Sequence, residues 1–135
     1  LACTVLREMG APIEHAGATV TKRGCATLRG VEIHGDQMTD AVLALAAAAA
    51  LAQGTSRFFN VENLRYKECD RITDFLAALR ELGVRGDETR SELIIVALRC
   101  ARPVTIAGAE HIAKSYPGFF EDLRRLGARI DLTDN

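Results

Sequence analysis

The 135-residue sequence predicts an α/β fold built from repeated βαβαββ units, and three observations carry that reading. The first is a string that recurs three times: Leu6-Arg7-Glu8-Met9-Gly10-Ala11, Leu79-Arg80-Glu81-Leu82-Gly83-Val84 and Leu123-Arg124-Arg125-Leu126-Gly127-Ala128. Each copy reads as the last turn of an amphipathic helix stopped by a glycine, with a strand after it. The second is a run from Ala41 to Ala52 that is apolar on every face. The third is an amphipathic helix further along, ahead of two short strands. Strand pairs after helices, repeated along a chain, mark an α/β repeat protein.

Taken in order, Leu1 to Met9 reads as a helix, and Pro12 to Glu14 with Ala18 to Lys22 as the strand pair that follows it. The next unit runs strand Ala26 to Ile33, helix Asp40 to Ala52, strand Ser56 to Val61, helix Lys67 to Leu82, then two short strands, of which Glu92 to Val96 is one. The third copy of the string leads into a strand from Arg129 to Leu132. From Leu6 to Leu79 the period is 73 residues, but from Leu79 to Leu123 it is 44, a deficit of 29. The strand-and-helix element Ala26 to Gly54 is itself 29 residues long. The chain is therefore read as the end of unit one (1–24), a complete unit two (25–97) and an incomplete unit three (98–135) that lacks its first strand and helix, with the join between Val96 and Arg102.

Composition limits the function classes. With 48% hydrophobic residues, 26% charged residues and a net charge of −1, the chain has material for a core, which argues against disorder and against electrostatically driven nucleic-acid binding. The longest apolar run, Ala41 to Ala52, is well short of the roughly 20 residues a membrane-spanning helix needs. A soluble, cytoplasmic protein without a leader peptide is expected. The sequence starts at Leu1 inside a helical pattern, so the start of the protein is expected upstream and the chain is read as a piece of something larger. Cys3, Cys25, Cys69 and Cys100 form no CxxC pair, and His15, His34 and His111 stand apart from them. They read as small buried or half-buried thiols in a reducing compartment, and no metal site is expected.

The alanine-rich helix, eight alanines with Val42, Leu43, Leu45 and Leu51, is expected to be buried all round. Thr39 is its candidate N-cap and Asp40 sits in its first turn, where the helix dipole favours a carboxylate. On the second helix, at about 100° per residue from Lys67, Ile72, Phe75, Leu76, Leu79 and Leu82 form the apolar stripe. Asp70, Thr73, Asp74, Arg80 and Glu81 lie opposite. The same wheel puts Glu68 inside the stripe, bracketed by Lys67 and Arg71. That placement is read either as a salt-bridge cluster closing the core or as a cationic pocket for an anionic ligand, with Glu68 available for proton transfer. A helix N-terminus adds its own attraction for phosphate or carboxylate. Lys114 occupies a similar frame in the next copy, ahead of a helix opened by Ser115 and Pro117, and repeat symmetry would bring it near Lys67 and Arg71.

The string Asn63-Leu64-Arg65-Tyr66-Lys67-Glu68-Cys69-Asp70-Arg71 resembles the N-x-R-x-K-E-[ST]-D-R signature of the 5-enolpyruvylshikimate-3-phosphate synthase family. Asp40, 27 residues before Lys67, matches the spacing of that family's catalytic aspartate, and Ala113-Lys114-Ser115-Tyr116-Pro117 resembles its A-K-[ST]-[FY]-P motif. The resemblance implies an inside-out α/β barrel, with helices inside and sheets outside, as the C-terminal part of one of two domains. It also implies transfer of the enolpyruvyl group of phosphoenolpyruvate to the 5-hydroxyl of shikimate 3-phosphate. Carried over, Asp40 would bind and deprotonate that hydroxyl with Lys67 beside it, and Glu68 would handle the proton at the methylene carbon. Arg71 and Lys114 would hold phosphoenolpyruvate, and Asn63 would contact shikimate 3-phosphate. No metal or organic cofactor is implied.

The family's Asp-His-Arg motif, expected on the first strand and helix of unit three, does not occur in these residues, and the opposite domain is expected to lie outside them. The isolated chain is therefore expected to be inactive. Two alternatives stand beside this reading. One is the related enolpyruvyl transferase acting on UDP-N-acetylglucosamine, against which the Lys-Glu-Cys-Asp-Arg string argues. The other is a non-catalytic repeat module of the same fold.

Overall fold

The structure, a computed structural model, describes residues 1–24, 27–96, 112, 114, 116–125 and 129–131. The chain divides into two compact units, Leu1–Arg102 and Pro103–Asn135.

The first unit opens with α1 (Ala2–Glu8) and a hairpin of β1 (Ile13–Ala16) and β2 (Thr19–Lys22), in which Ile13 faces Lys22 and Ala16 faces Thr19. Six elements follow in the order β3 (Glu32–His34), α2 (Val42–Ala50), β4 (Thr55–Phe59), α3 (Arg71–Glu81), β5 (Arg85–Glu88) and β6 (Glu92–Val96). That order is the predicted βαβαββ. The strands form one sheet in the order β3-β4-β6-β5, parallel between β3 and β4 and antiparallel elsewhere.

The recurring Leu-Arg-x-x-Gly string has one physical meaning in its two described copies. After α1, Gly10 adopts φ 96°, its N–H donates to the Arg7 carbonyl, and the N–H of Ala11 donates to that of Leu6. After α3, Gly83 adopts φ 81°, its N–H donates to Arg80, and the N–H of Val84 donates to Leu79. Both are the double-bonded left-handed helix stop that glycine adopts without steric cost. Gly127, in the third copy, lies outside the described residues, as do the Val96 to Arg102 join beyond Val96 and all of Pro103 to His111.

One face of the sheet makes the core. Ile33, Ser56, Phe58, Leu93 and Ile95 alternate with exposed or half-exposed neighbours and are buried against α2 and α3. From the helices come Val42, Leu45, Ala46 and Ala49, then Ile72, Leu76 and Leu79. The α3 stripe expected from the sequence is thus observed at its buried positions.

Four expectations need correction. The strand expected over Ala26 to Ile33 is only Glu32–His34 among the described residues, because the register changes before it: Arg29 faces Gln53 but Glu32 faces Arg57, so the partner has one extra residue between the two pairs. Arg29 makes a single parallel bridge to Gln53, and a Cβ at Gly30 would lie 2.1 Å from the Thr55 carbonyl oxygen. Secondly, α2 is not buried all round: Ala44 and Ala47 are exposed and Leu51 is 72% exposed, since the helix packs one face on β4 and β6 and leaves the opposite face open. Thirdly, Arg129 to Asp131 form no strand; Arg124 donates to the Ile130 carbonyl instead of a ladder partner. Fourthly, in the second unit α4 (Phe119–Arg125) starts beyond Pro117 rather than at Ser115. A proline disfavours helical geometry in the residue before it, which postpones the helix past Tyr116.

Among the described residues no helix is long and apolar enough to cross a membrane.

Candidate functional site

The segment between β4 and α3 is where the structure departs most from the helical wheel. A 3-10 helix, Glu62–Tyr66, ends where Lys67 turns extended at φ −82° and ψ −154°, and α3 starts only at Arg71. Asp70 is its N-cap, accepting from the Thr73 N–H at 3.2 Å. Lys67 to Cys69 therefore stand outside the helix as an exposed strap that ends at the half-buried Asp70. A capping aspartate competes with the backbone for its own first turn, which is why the helix cannot run back through it.

Glu68 is consequently not on a buried stripe: its side chain is 78% exposed. It accepts from the Arg71 guanidinium, three residues on. Its own backbone N–H, then the hydrogen bond and charge of Arg71, with a smaller part from Lys67, hold its carboxyl below the ordinary carboxylate range. Cys69 is exposed as well, against the expectation of a sheltered thiol, and for the same reason. A hydrogen bond to Asp74 leads the causes that push its thiol pKa up. Cys3 is half-buried as expected, and Cys25 and Cys100 lie outside the described residues.

Asp40 is exposed in a 3-10 turn, Thr39–Ala41, that precedes α2. Thr39 does not cap that helix. Its hydroxyl instead accepts from the Asn63 side-chain amide at 2.9 Å, so the Asp40 turn and the strap's lead-in segment are joined by a side-chain bond. Asn63 and Lys67 are both exposed. Three of the expected site residues, Asn63, Lys67 and Glu68, thus share the β4–α3 connection, Arg71 opens the helix that follows it, and a fifth, Asp40, lies on the turn bonded to it. Lys114, exposed and in 3-10 conformation, belongs to the second unit. It is separated from the first turn of α4 rather than adjoining it.

Arg65 carries no expected role beyond its place in the motif. It is the most fully bonded side chain of the segment. Its Nη1 donates to Asp70 Oδ2 at 2.8 Å and Thr73 Oγ1 at 3.1 Å, its Nη2 to Glu88 Oε2 at 2.6 Å and the Thr89 carbonyl at 2.5 Å, and its Nε to the Arg90 carbonyl at 3.1 Å. All five guanidinium N–H groups have an acceptor. Burial opposes the charge, but Glu88 and Asp70 outweigh it and raise the Arg65 pKa. The one signal in the sequence is that Arg65 fills the arginine position of the Asn63 to Arg71 motif; its partners at Glu88 to Arg90 arrive through the β5–β6 turn and cannot be read from that motif.

The arrangement presents an exposed carboxylate and two cations at the N-terminal end of an eleven-residue helix, with a second carboxylate on a neighbouring turn. Such a site suits an anionic ligand and proton transfer beside it.

The profile of the family described as EPSP synthase (3-phosphoshikimate 1-carboxyvinyltransferase) matches residues 1–94. A 3-phosphoshikimate 1-carboxyvinyltransferase of Deinococcus radiodurans is 43% identical over 159 residues, covering 98% of this chain and 36% of the relative. One from Burkholderia pseudomallei is 37% identical over 145 residues, covering 87% of the chain and 32% of the relative. Both matches extend over more residues than the 135 of this chain, so the relatives carry stretches without a counterpart here. The solved EPSP synthase of Acinetobacter baumannii superposes with a TM-score of 0.77 at 26% identity, covering 90% of the chain and 37% of that structure. The α/β fold expected from the repeat is thus the one these synthases share, and the chain spans about a third of the length of the relatives it matches. On the profile match and the 43% identity together, the chain belongs to the EPSP synthase family.

Proposed function

We propose that this chain supplies one half of an enolpyruvyl-transfer site, acting with a second domain in the cytoplasm on phosphoenolpyruvate and shikimate 3-phosphate. The observation that carries this reading is the position of Lys67 and Arg71. Both sit at the positive end of the α3 dipole, where a cation is unfavourable for stability and an anion is favoured. Two cations gathered there suit a phosphate or carboxylate ligand better than they suit the fold.

In the proposed reaction the 5-hydroxyl adds to C2 of phosphoenolpyruvate while its methylene carbon gains a proton. Loss of inorganic phosphate from C2 and of a proton from that carbon then gives the enolpyruvyl ether. Asp40, with Lys67 beside it, takes the hydroxyl proton, Asn63 contacts shikimate 3-phosphate, and Arg71 with Lys114 holds phosphoenolpyruvate. Glu68 is ionised while Arg71 donates to it. A ligand that draws Arg71 away removes one of the main stabilisers of that anion, so the Glu68 pKa rises towards the range in which it carries a proton to carbon. The Asn63 to Thr39 bond supports this grouping, since it joins the two segments that hold the carboxylates.

The expected lack of the first strand and helix of unit three is part of the same proposal, with 1–24, 25–97 and 98–135 as its units. The extent of the matches beyond 135 residues supports it. The test is phosphate release from phosphoenolpyruvate in the complete protein, with shikimate 3-phosphate and UDP-N-acetylglucosamine as competing acceptors. Release is expected only with the first and should disappear in Glu68→Gln with the fold intact. Release with the second acceptor, or near-normal turnover in Glu68→Gln, would overturn the reading.

A further inference from the structure

The strap from Tyr66 to Cys69 consists of four consecutive exposed residues, so no core packing fixes its backbone. What borders it is well anchored. Leu64 and Ile72 are buried on either side, and between them the Arg65 guanidinium reaches across the strap to Asp70 at 2.8 Å. The same guanidinium meets Glu88 at 2.6 Å, and Glu88 also accepts from the Thr73 hydroxyl at 3.1 Å. The side chains of Arg65 and Glu88 are only 15% and 19% exposed, unlike Glu68 at 78%. An arginine that served the β5–β6 turn alone would need only Glu88, Thr89 and Arg90. The two Nη1 bonds, to Asp70 and Thr73, go to the far end of the strap instead.

We propose that Arg65 is the positioning residue of this site: with Asp70 it closes a ring around Tyr66, Lys67, Glu68 and Cys69, and with Glu88 it fixes that ring to the β5–β6 turn. Every guanidinium N–H is engaged within the protein, so Arg65 has no donor left for substrate and acts through Lys67 and Glu68. The planar fork matters. It spans two carboxylates and two carbonyls at once, which a lysine ammonium on one atom cannot do. The proposal rests on the enolpyruvyl-transfer reading of the same site.

The test is made in the complete protein carrying this chain, with Arg65→Gln, Arg65→Lys and Asp70→Asn. Displacing a reacting group by about 1 Å costs on the order of 100-fold in rate, so kcat of Arg65→Gln is expected to fall by about that factor, with KM for both substrates within a few-fold. Arg65→Lys is expected to recover little of the loss. Asp70→Asn keeps an acceptor for the helix cap and leaves the Arg65 to Glu88 pair in place. Its kcat is expected to fall about tenfold, with hydrogen exchange at residues 66–69 faster than in the unsubstituted protein while exchange at β6 is unchanged. Asp70→Asn decides the matter if the Arg65 variants do not fold. An unchanged kcat per folded molecule, with only thermal stability lowered, would make Arg65 structural and overturn the proposal alone. Absence of turnover in the unsubstituted protein would overturn the reading of the site and the proposal with it.

Discussion

The side-chain amide of Asn63 donates to the hydroxyl of Thr39 at 2.9 Å, so the residue beside Asp40 is bonded to the segment that leads to Lys67 and Glu68. Both residues come from connections rather than from the sheet or the long helices. They are 24 positions apart in sequence, and parallel pairing of β3 with β4 brings the two connections to the same end of the sheet.

Thr39→Val removes the acceptor and keeps the shape. An exposed neutral hydrogen bond contributes about 1 kcal/mol at most, so the melting temperature should move by only a few degrees. Alignment of Asp40 with Lys67 is the larger loss. In the complete protein, kcat/KM for shikimate 3-phosphate should drop about tenfold, equivalent to about 1.4 kcal/mol of transition-state stabilisation. Steady-state kinetics on both substrates checks this. An unchanged kcat/KM would show that the bond has no part in aligning the site.

The ion pair between Arg71 and Glu68 sets a pH expectation. Glu68 has a folded pKa below its ordinary 4.5, chiefly through its own backbone N–H and Arg71. Arg71→Gln removes the second of these, so the Glu68 pKa should rise. A carboxyl-detected NMR titration of the chain reads the change directly. A pKa that stays put, or falls, would mean that the pair does not persist in solution.

Asp70 couples the helix cap to acid stability. Burial pushes its pKa up, but the Arg65 hydrogen bond, the Thr73 N–H and the Arg65 charge outweigh this and leave it below the ordinary 3.8. A carboxylate lowered on folding contributes stability that is complete above its unfolded pKa and is lost as pH falls through the folded one. Unfolding of the wild-type chain should therefore become easier below about pH 4. In Asp70→Asn that part of the pH dependence should flatten, while Asp70→Ala, which also loses the cap acceptor, should be the less stable of the two at pH 7. Denaturant unfolding at a series of pH values distinguishes them, and equal stability of the two variants at pH 7 would remove the cap from the account.

How legible all this was in the sequence differs by element. The order β3-α2-β4-α3-β5-β6 could be read because α2 is an unbroken apolar run, α3 carries a helical stripe, and Gly10 and Gly83 mark two helix ends with the same pair of bonds. The start of α3 could not. The apolar spacing of Ile72, Phe75, Leu76 and Leu79 extrapolates smoothly back to Glu68, and periodicity carries no information about where a helix stops obeying it. Asp70 was the available sign, as a residue that prefers a cap to an interior position. The short β3 was hidden differently: the pairing shifts by one residue between Arg29, which faces Gln53, and Glu32, which faces Arg57, and nothing in the local sequence marks that shift. The site residues were legible as a motif, whereas Arg65 was not legible as a hub, because three of its five acceptors, on Glu88, Thr89 and Arg90, lie more than twenty residues away.

Close approach at Gly30 and tight packing at Phe58 give opposite tests of the same sheet. Phe58 is fully buried in the middle of β4, facing α2 and α3, and its replacement by alanine leaves a cavity that costs about 3–5 kcal/mol. Gly30 is the converse. A methyl group there would lie 2.1 Å from the Thr55 oxygen and 2.7 Å from its carbonyl carbon, both backbone atoms that cannot rotate aside. Gly30→Ala should thus cost at least as much as typical overpacking, about 1–3 kcal/mol, by prising the Arg29 to Gln53 bridge from the edge of the sheet. Hydrogen exchange separates the two effects. Gly30→Ala should deprotect the amides of Gly30 and Gln53, which donate to Gln53 and Leu28, before those of β6. Phe58→Ala should lower protection across β4 and β6 together, since both strands share the core that Phe58 fills. A Gly30→Ala chain with wild-type stability would mean that β3 and β4 stand further apart in solution than the sheet described here.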